Sequence, residues 1–416
     1  MKILILDGNE NHAVASVRSL GREGHTVAVG SSTNWSKAGW SRFAGSSFQY
    51  PSPTDDAEAF VRRIAQEAKL FPGTFVLPMT EQTTLPLSIH RRLIEEVGGR
   101  LALPSHETIL HAFDKQYTSR LASSVGITVP KTRVLSAESE PNEVDELTYP
   151  VVLKAASSQE MSSDGRVTKT GAPLYAKDKT EFLNAFATMR QRCSSILVQE
   201  FVTGEGAGYF ALFHEGEPRL EFAHQRLRDV RPTGSGSSLR VSVPLDSSIR
   251  DAGRAMLRAL KWHGVAMVEF RVRRDGTPVF MEVNGRFWNS LALAIYAGAD
   301  FPAQLARMVE FGDIPADSEY KTNVRCRWLL GDFRHLVEVW RGAPRGYPGV
   351  FPKRLQTLWR FIRPVPGTFH DNFSMDDPLP ELGDWLDFVV RRVPQFLKKA
   401  DDSRSDLHVQ GSYSRT

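Results

Sequence analysis

The sequence predicts an α/β chain: a Rossmann-like N-terminal domain, then an α+β domain, then a C-terminal accessory segment. Three observations carry this. The first hundred residues alternate short apolar runs with helical periodicity, the middle is strand-rich with polar groups gathered at strand ends, and beyond about 318 the texture turns to Arg, Trp and Pro. At 416 residues and 41% hydrophobic content the chain is long enough for two or three separate cores.

The opening stretch KILILDGNENHAVASVRSLGREGHTVAVGSS reads as a buried strand and a turn at Asp7-Gly8-Asn9. A helix with Ala13, Val14, Val17 and Leu20 on one face, a stop at Gly24 and a strand at Thr26–Val29 follow, giving a βαβ unit. A helix at 56–69 and strands at 74–79 and 100–104 continue the alternation. The turn after the first strand lacks the G-x-G-x-x-G spacing, so this domain is expected to be a scaffold lining a substrate cleft rather than a dinucleotide site.

From residue 105 a Ser-capped helix carrying Lys115 and a second helix ending at Gly126 are expected. The strand YPVVLKAA (149–156), a Ser-rich polar loop (157–171), a helix at 178–191 and the strand SILVQEFV (195–202) come next. A Gly-rich turn, the strand YFALFHEG, a long connection (224–244) and a helix at 247–261 with Ala252, Met256, Leu257 and Leu260 on one face complete the pass. The last residues have too little apolar content to pack, so 400–416 is expected to be a disordered tail.

Several function classes are disfavoured at the outset. A net charge of +4 with no long Lys/Arg block gives no nucleic-acid footprint. Cys193 and Cys326 can form neither a disulfide framework nor a zinc site alone, which fits a reducing compartment. The apolar run before Asp7 is too short for a signal segment and no stretch approaches 18 apolar residues, so a cytoplasmic protein without membrane insertion is expected.

The segment richest in chemistry is FMEVNGRFW (280–288), where Glu282, Asn284 and Arg286 recur at every second position. The strands GVAMVEFRV (264–272) and PVFMEV (278–283) are joined through Asp275-Gly276, a strong hairpin signal. With those two as the loop, Glu269 lies opposite Glu282. Cross-strand carboxylates repel, and a divalent cation would turn the repulsion into a ligand set of two carboxylates and the Asn284 amide oxygen. Two carboxylates on the solvated face of an edge hairpin would give the same pattern, and the hairpin alone leaves both readings open.

Lys154 is the single charge in the strand VVLKAA, apolar on both faces, and polyphosphate would supply its partner; a lysine snorkelling at a sheet edge is the alternative. The polar loop after it has the composition of a segment that closes over phosphates. At QEFV the strand gives way to a turn, where backbone groups can read an adenine edge while apolar side chains sandwich the ring.

Taken together, Lys115 in FDK, Lys154 in VVLKAA, the hinge QEFV, Glu269 in VEF and the run MEVNGR resemble the ATP-grasp superfamily from about 105 to 318, behind a Rossmann-like domain. The resemblance is nearest to the carboxylate–amine ligase and carboligase branch related to the large subunit of carbamoyl-phosphate synthase, where RFWNSLALAIYAGADFP has a counterpart. It implies a Rossmann-like domain at 1–105, an ATP-grasp domain at 106–318 with its lid at about 118–200, and an accessory segment at 319–399. It also implies ATP and Mg²⁺ (or Mn²⁺) as cofactors. Lys115 and Lys154 would then hold phosphates, and the hinge backbone at Glu200, Phe201 and Val202 would bind adenine. Glu269, Glu282 and Asn284 would bind the metal, and Arg286 would steady an acyl phosphate. A ribose-binding acid usually follows the hinge, and Glu205 takes that place. Gly285 departs from the pattern, standing where many relatives have proline, and the 157–171 loop has more serine and less glycine than in several branches.

The activity implied is ADP-forming ligation of a small carboxylic acid to an amine through an acyl phosphate, with homodimers frequent in the superfamily. Arg226 and Arg240, in the connection 224–244, are expected to bind the acid substrate, since a guanidinium fork matches a carboxylate; surface ion pairs are the alternative. A bicarbonate-activating carboxylase or carbamoyl-phosphate enzyme, and a non-catalytic ATP-binding regulator, are the rival readings. In 325–363, Trp328, Trp340, Tyr347, Phe351, Trp359 and Phe361 interleave with arginines. This stretch reads either as a membrane-surface patch or, the favoured expectation, as a subdomain packed on the ligase core, because Pro and Gly interrupt any single amphipathic helix.

Overall fold

In Lys2–Ile5 (β1) the aliphatics Ile3, Leu4 and Ile5 are buried, which requires cover on both faces, and the N-terminal domain supplies it. The computed structural model describes residues 1–390 apart from 137, 140–147, 157–158, 162–166, 170–172, 192, 345–346, 348 and 364. The expected tail at 400–416 therefore lies outside the described residues. β1 is flanked in a parallel sheet by β2 (Thr26–Ser31), β3 (Ser46–Gln49) and β4 (Phe75–Leu77), in the order β3-β2-β1-β4. Helices α1 (Asn11–Arg22), α2 (Ala57–Lys69), α3 (Glu81–Ile89) and α4 (Arg91–Glu96) complete the domain. Asp56 starts α2 by accepting from the Ala59 N–H, and the apolar stripe Phe60, Val61, Ile64, Ala65 and Ala68 seals it to the sheet.

Two helices lead out of this domain. Ser105 caps α5 (His106–Phe113), and Asp114 caps α6 (Lys115–Ser124) by accepting from the Gln116 and Tyr117 N–H groups. Lys115 is thus the first residue of the second helix rather than part of the first, because Asp114 breaks the run.

The next layer is an antiparallel sheet of β5 (Thr132–Ser136), β6 (Val151–Ala155), β9 (Leu174–Ala176) and β10 (Ser195–Glu200), in the order β5-β10-β6-β9. It is preceded in part by the small pair β7 (Gln159–Met161) and β8 (Val167–Lys169), and α7 (Lys179–Met189) covers one face. Leu135, Leu153, Ile196 and Val198 point to α7. Lys154 pairs in register with Leu197, and Val152 with Gln199, so these four lie on the opposite face. Of the polar loop expected at 157–171, the described part forms the β7–β8 pair; the rest lies outside the described residues.

A seven-stranded sheet forms the centre, in the order β15-β14-β11-β12-β13-β16-β17. Its strands are β11 (Glu205–His214), β12 (Glu217–Arg231), β13 (Ser235–Ser242), β14 (Gly264–Val272), β15 (Pro278–Asn284), β16 (Arg325–Arg327) and β17 (Thr368–His370). The expected long connection at 224–244 is instead a β12–β13 hairpin: β12 runs on to Arg231, where Pro232-Thr233-Gly234 turns the chain. On one face α8 (Ser247–Ala259), with α5 and α6, buries Trp262, Tyr209 and Phe270. On the other face α9 (Leu291–Ala297) and α10 (Phe301–Phe311) share a continuous core with α1 and β1–β2, so the N-terminal domain and the central sheet are packed as one body.

Residues beyond 318 contribute β16 and β17 to this sheet, with α11 (Leu329–Arg341) laid on β12 and α12 (Arg354–Ile362) on α11. Buried charges tie the segment back to the N-terminal domain. Arg18 pairs with Asp377 at 2.8 Å and Lys37 with Asp384 at 2.7 Å, and both arginine and lysine are almost fully buried. Arg240 on β13 is fully buried against Asp371. Asp371→Ala is expected to cost roughly 3–5 kcal/mol, because it leaves a buried guanidinium without its counter-charge; a shift of the denaturant midpoint at unchanged slope measures it.

Glu381, also in this packing, is pushed up to about 7 by burial, with Asp384 adding to the effect and the Trp385 N–H opposing it. A carboxyl whose folded pKa exceeds its ordinary 4.5 binds the proton more tightly in the folded state, so its contribution to stability falls as pH rises from about 4.5 to about 7. Glu381→Gln is therefore expected to flatten that slope and to be more stable than wild type at pH 8, by about 3 kcal/mol. Melting temperatures of both proteins between pH 5 and 8 check the sign.

Candidate functional site

The β14–β15 hairpin places the carboxylates. Arg273 and Thr277 close a three-residue loop, with Gly276 in the left-handed region at φ 84°, rather than the two-residue loop the sequence suggested. This shifts the pairing near the loop by one residue, so that Phe270 meets Phe280. An irregularity between Glu269 and Phe270 inserts Met281 on the facing strand and restores the register, and Glu269 then pairs with Glu282 as expected. The bulge also re-aims the strand: Phe280 and Val283 enter the core beneath α8, while Met281, Glu282 and Asn284 line the cleft.

Past the strand, Gly285 meets the Trp262 ring so closely that a Cβ would lie 2.3 Å from it. Close packing there fixes the strand end, and Arg286 emerges into the cleft.

The cleft, about 1230 Å³, lies between the β5-β10-β6-β9 sheet and the central sheet. Lys115, Lys154, Glu200, Phe201, Val202, Arg226, Glu269, Glu282, Asn284 and Arg286 all line it. A second chamber of about 730 Å³ adjoins it past Lys115, Lys154, Gln199 and Met281. Two expected residues lie elsewhere. Glu205 is exposed and accepts from Gln225 Nε2 at 3.1 Å without lining the cleft. Arg240 has no path to the cleft, because Asp371 and the Ser237 carbonyl occupy its guanidinium in the core.

The polar groups form a chain. Asn284 Nδ2 donates to Glu282 Oε1 at 3.2 Å, Arg286 Nη2 donates to Asn284 Oδ1 at 3.3 Å, and Arg286 Nε lies 3.6 Å from Glu81 Oε1. Arg226 Nη2 holds Glu269 Oε2 at 2.9 Å. Lys154 Nζ donates to Gln199 Oε1 at 3.0 Å, and Gln199 is itself fixed by Thr132.

Electrostatics follow from this crowding. Burial pushes the Glu282 carboxyl up, but Lys115, Lys154, the Asn284 amide and Arg286 outweigh it, and the group sits below the usual carboxylate range. Burial, reinforced by Lys115 and opposed by Glu282 and Glu269, depresses Lys154. An added polyanion would reverse that depression, which is the behaviour expected of a phosphate-binding lysine.

Some cleft residues were not singled out in the sequence. Arg271, two residues from Glu269 on β14, was legible by alternation. His224, stacked on Phe210 and bonded to Ser290 Oγ at 2.8 Å, forms part of the floor with Trp288. Phe351 and Tyr347 were noted in the sequence only among the aromatics of the C-terminal segment; Phe351 reaches the cleft and Tyr347 packs against the hinge Phe201, roles that no local pattern marked.

Among the described residues no three His, Cys, Asp or Glu side chains cluster to hold a metal by themselves. Two carboxylates and an amide oxygen instead suit a hard cation that draws its remaining ligands from phosphates and water, as Mg²⁺ does.

No protein-family model matches the chain. Over 187 residues, 41% of this chain and 52% of the relative, it is 26% identical to the vancomycin B-type resistance protein VanB of Enterococcus faecalis. It is 24% identical over 179 residues to the D-alanine–D-alanine ligase of Aquifex aeolicus, covering 42% of this chain and 58% of that one. The chain thus spans about half the length of the curated relatives it matches. Among solved structures it is similar to an L-amino acid ligase from Bacillus licheniformis, with TM-score 0.56 and 16% identity over 74% of this chain and 73% of that one. It is also similar to the biotin carboxylase domain of the 2-oxoglutarate carboxylase of Hydrogenobacter thermophilus, with TM-score 0.62 and 13% identity over 78% and 73%.

Proposed function

The chain has the ATP-grasp fold, and on that premise we propose that it is an ADP-forming ligase that joins a small carboxylic acid to an amine. The observation that carries the reading is the convergence of Glu269, Glu282, Asn284 and Arg286 with Lys115 and Lys154 on one cleft. Two of the curated relatives it matches are named as ligases, one of D-alanine with D-lactate and one of D-alanine with D-alanine, which favours ligation of a carboxylic acid over bicarbonate activation.

In this reading a substrate carboxylate oxygen attacks the γ-phosphorus of ATP and the bond to the bridging oxygen breaks, releasing ADP. An amine then attacks the acyl carbon, loses its proton, and phosphate leaves. Mg²⁺, or Mn²⁺ in its place, would be held by Glu269, Glu282 and Asn284 and would neutralise phosphate charge. Lys115 and Lys154 hold phosphate oxygens, and Arg286 meets the charge that develops on the transferred group. At the hinge the Glu200 and Phe201 N–H groups are already bonded to the Lys131 and Pro150 carbonyls, so the purine-reading donor falls to Val202. Arg226 can take a substrate carboxylate when Glu269 turns to the cation. Glu205 and Arg240 have no role in this scheme, the first by its exposure and the second by its burial.

The test is ADP release with MgATP, pools of amino acids and other small acids, and hydroxylamine as a general amine, with mass spectrometry for hydroxamates. A hydroxamate formed only with ATP is the expected result and names the acid. Protein that binds MgATP yet gives neither hydroxamate nor acid-dependent ADP would sink the reading.

A further inference from the structure

The nine residues of α12, Arg354–Ile362, pack on α11 through Thr357, which is buried, and Leu358 and Phe361, which are half-buried. The opposite side is apolar and faces out: Leu355 is 79% exposed, Trp359 65% and Ile362 64%. These positions are spaced i, i+4, i+7, a single stripe along the helix. Val350, in the loop leading into α12, is 96% exposed beside them in the chain. A soluble surface does not ordinarily present Leu, Trp and Ile together in this way.

The charge along the segment has one sign. From residue 339 to residue 370 the sequence contains no Asp or Glu. Lys353, Arg354, Arg360 and Arg363 are all exposed. With about 100° of turn per residue, Arg354 and Arg363 fall on opposite flanks of the stripe. The Pro and Gly residues that bracket the segment do not prevent an amphipathic helix; they bound a short one whose apolar face points away from the body.

We propose that α12, with Val350 before it, docks on an anionic lipid surface, with Leu355, Trp359 and Ile362 in the headgroup–acyl boundary and the flanking arginines on lipid phosphates. An aromatic-aliphatic stripe bordered by cations, with no carboxylate in the segment, is the chemistry such an interface selects. A protein partner would need carboxylates of its own to meet these arginines, whereas an anionic bilayer presents phosphates all round the stripe. The mode is peripheral, since no described helix is long and apolar enough to cross a membrane. Phe351 lines the cleft one residue after the exposed Val350, so docking would hold the cleft close to the lipid surface. The proposal does not depend on which reaction the cleft performs.

The test is co-sedimentation of the full chain with vesicles of phosphatidylglycerol and phosphatidylcholine in equal parts, against phosphatidylcholine alone. Wild type is expected to pellet with the anionic vesicles at low salt, to be released as salt rises, and to stay in the supernatant with phosphatidylcholine. Trp359→Glu and Leu355→Glu are each expected to weaken binding by at least about tenfold, with circular dichroism and MgATP binding unchanged. Trp359→Phe should retain binding. Wild type left in the supernatant at low salt overturns the proposal, as does unaltered binding by both glutamate variants. A dimer in light scattering that Trp359→Glu splits, with no vesicle binding, assigns the face to a second copy of the chain and overturns it equally.

Discussion

Glu282→Gln is expected to reduce acid-dependent ADP release by on the order of 10³-fold, the scale of removing one fixed electrostatic contact from a phosphoryl-transfer site. The substitution keeps shape and the oxygen that accepts from Asn284 Nδ2, so the fold is retained. What it removes is the negative charge between Lys115, Lys154 and Glu269. Without it the proposed cation would lose one of its two carboxylates, and the two lysines repel with less between them. Stability shifts in a defined direction too. Because the Glu282 carboxyl lies below its ordinary value when folded, it stabilises the protein above the ordinary carboxylate range, and that contribution is lost as pH falls through its folded value. Glu282→Gln should therefore melt lower than wild type at neutral pH and converge with it in acid. Near wild-type turnover from the variant would refute the metal assignment, whatever its melting temperature.

The carboxylate pair was legible because the hairpin is local. Glu269 and Glu282 are thirteen positions apart around an Asp-Gly turn, and period-2 alternation put Asn284 and Arg286 on the same side. The route was nevertheless different from the expected one: a three-residue loop displaced the register and the bulge at Met281 put it back. Lys154 was legible for a similar reason, since a lone charge in an apolar strand needs a partner, whereas Lys115 was marked only by the resemblance.

What local pattern could not give was the origin of distant cover. Arg240 is in register with Arg226, which does line the cleft, but its own position lies under Asp371, 131 residues later. Strands of three residues, such as β16 and β17, carry too little periodicity to be recognised, so the completion of the central sheet by the C-terminal segment was invisible. The same blindness applied to Phe351 and to the outward face of α12, because a sequence shows a stripe but not which side of it is covered.

Arg286→Ala is expected to cut the ligation rate by about 10²- to 10³-fold while changing MgATP affinity only a few-fold. The geometry sets this apart from the lysines. Arg286 is held from two sides: Glu81, at the start of α3, approaches Nε, and the Asn284 amide and Phe287 carbonyl accept from the terminal nitrogens. It therefore joins the N-terminal domain to β15 and presents a fixed charge to the space between them. In the proposed scheme a fixed charge there would contribute most where negative charge is greatest, on the transferring phosphoryl group and the tetrahedral intermediate, and little to the ground-state nucleotide that Lys115, Lys154 and the hinge would hold. The split between turnover and affinity is what a purely structural role would not produce. A residue that only braced Glu81 against β15 would, on removal, loosen the cleft and weaken nucleotide binding and turnover together. Glu81→Gln supplies the control, since it relaxes the brace but leaves the guanidinium, and should lower turnover much less than Arg286→Ala. Equal losses of affinity and rate in Arg286→Ala would place the arginine on ATP itself, and the acyl phosphate would then need a different cation.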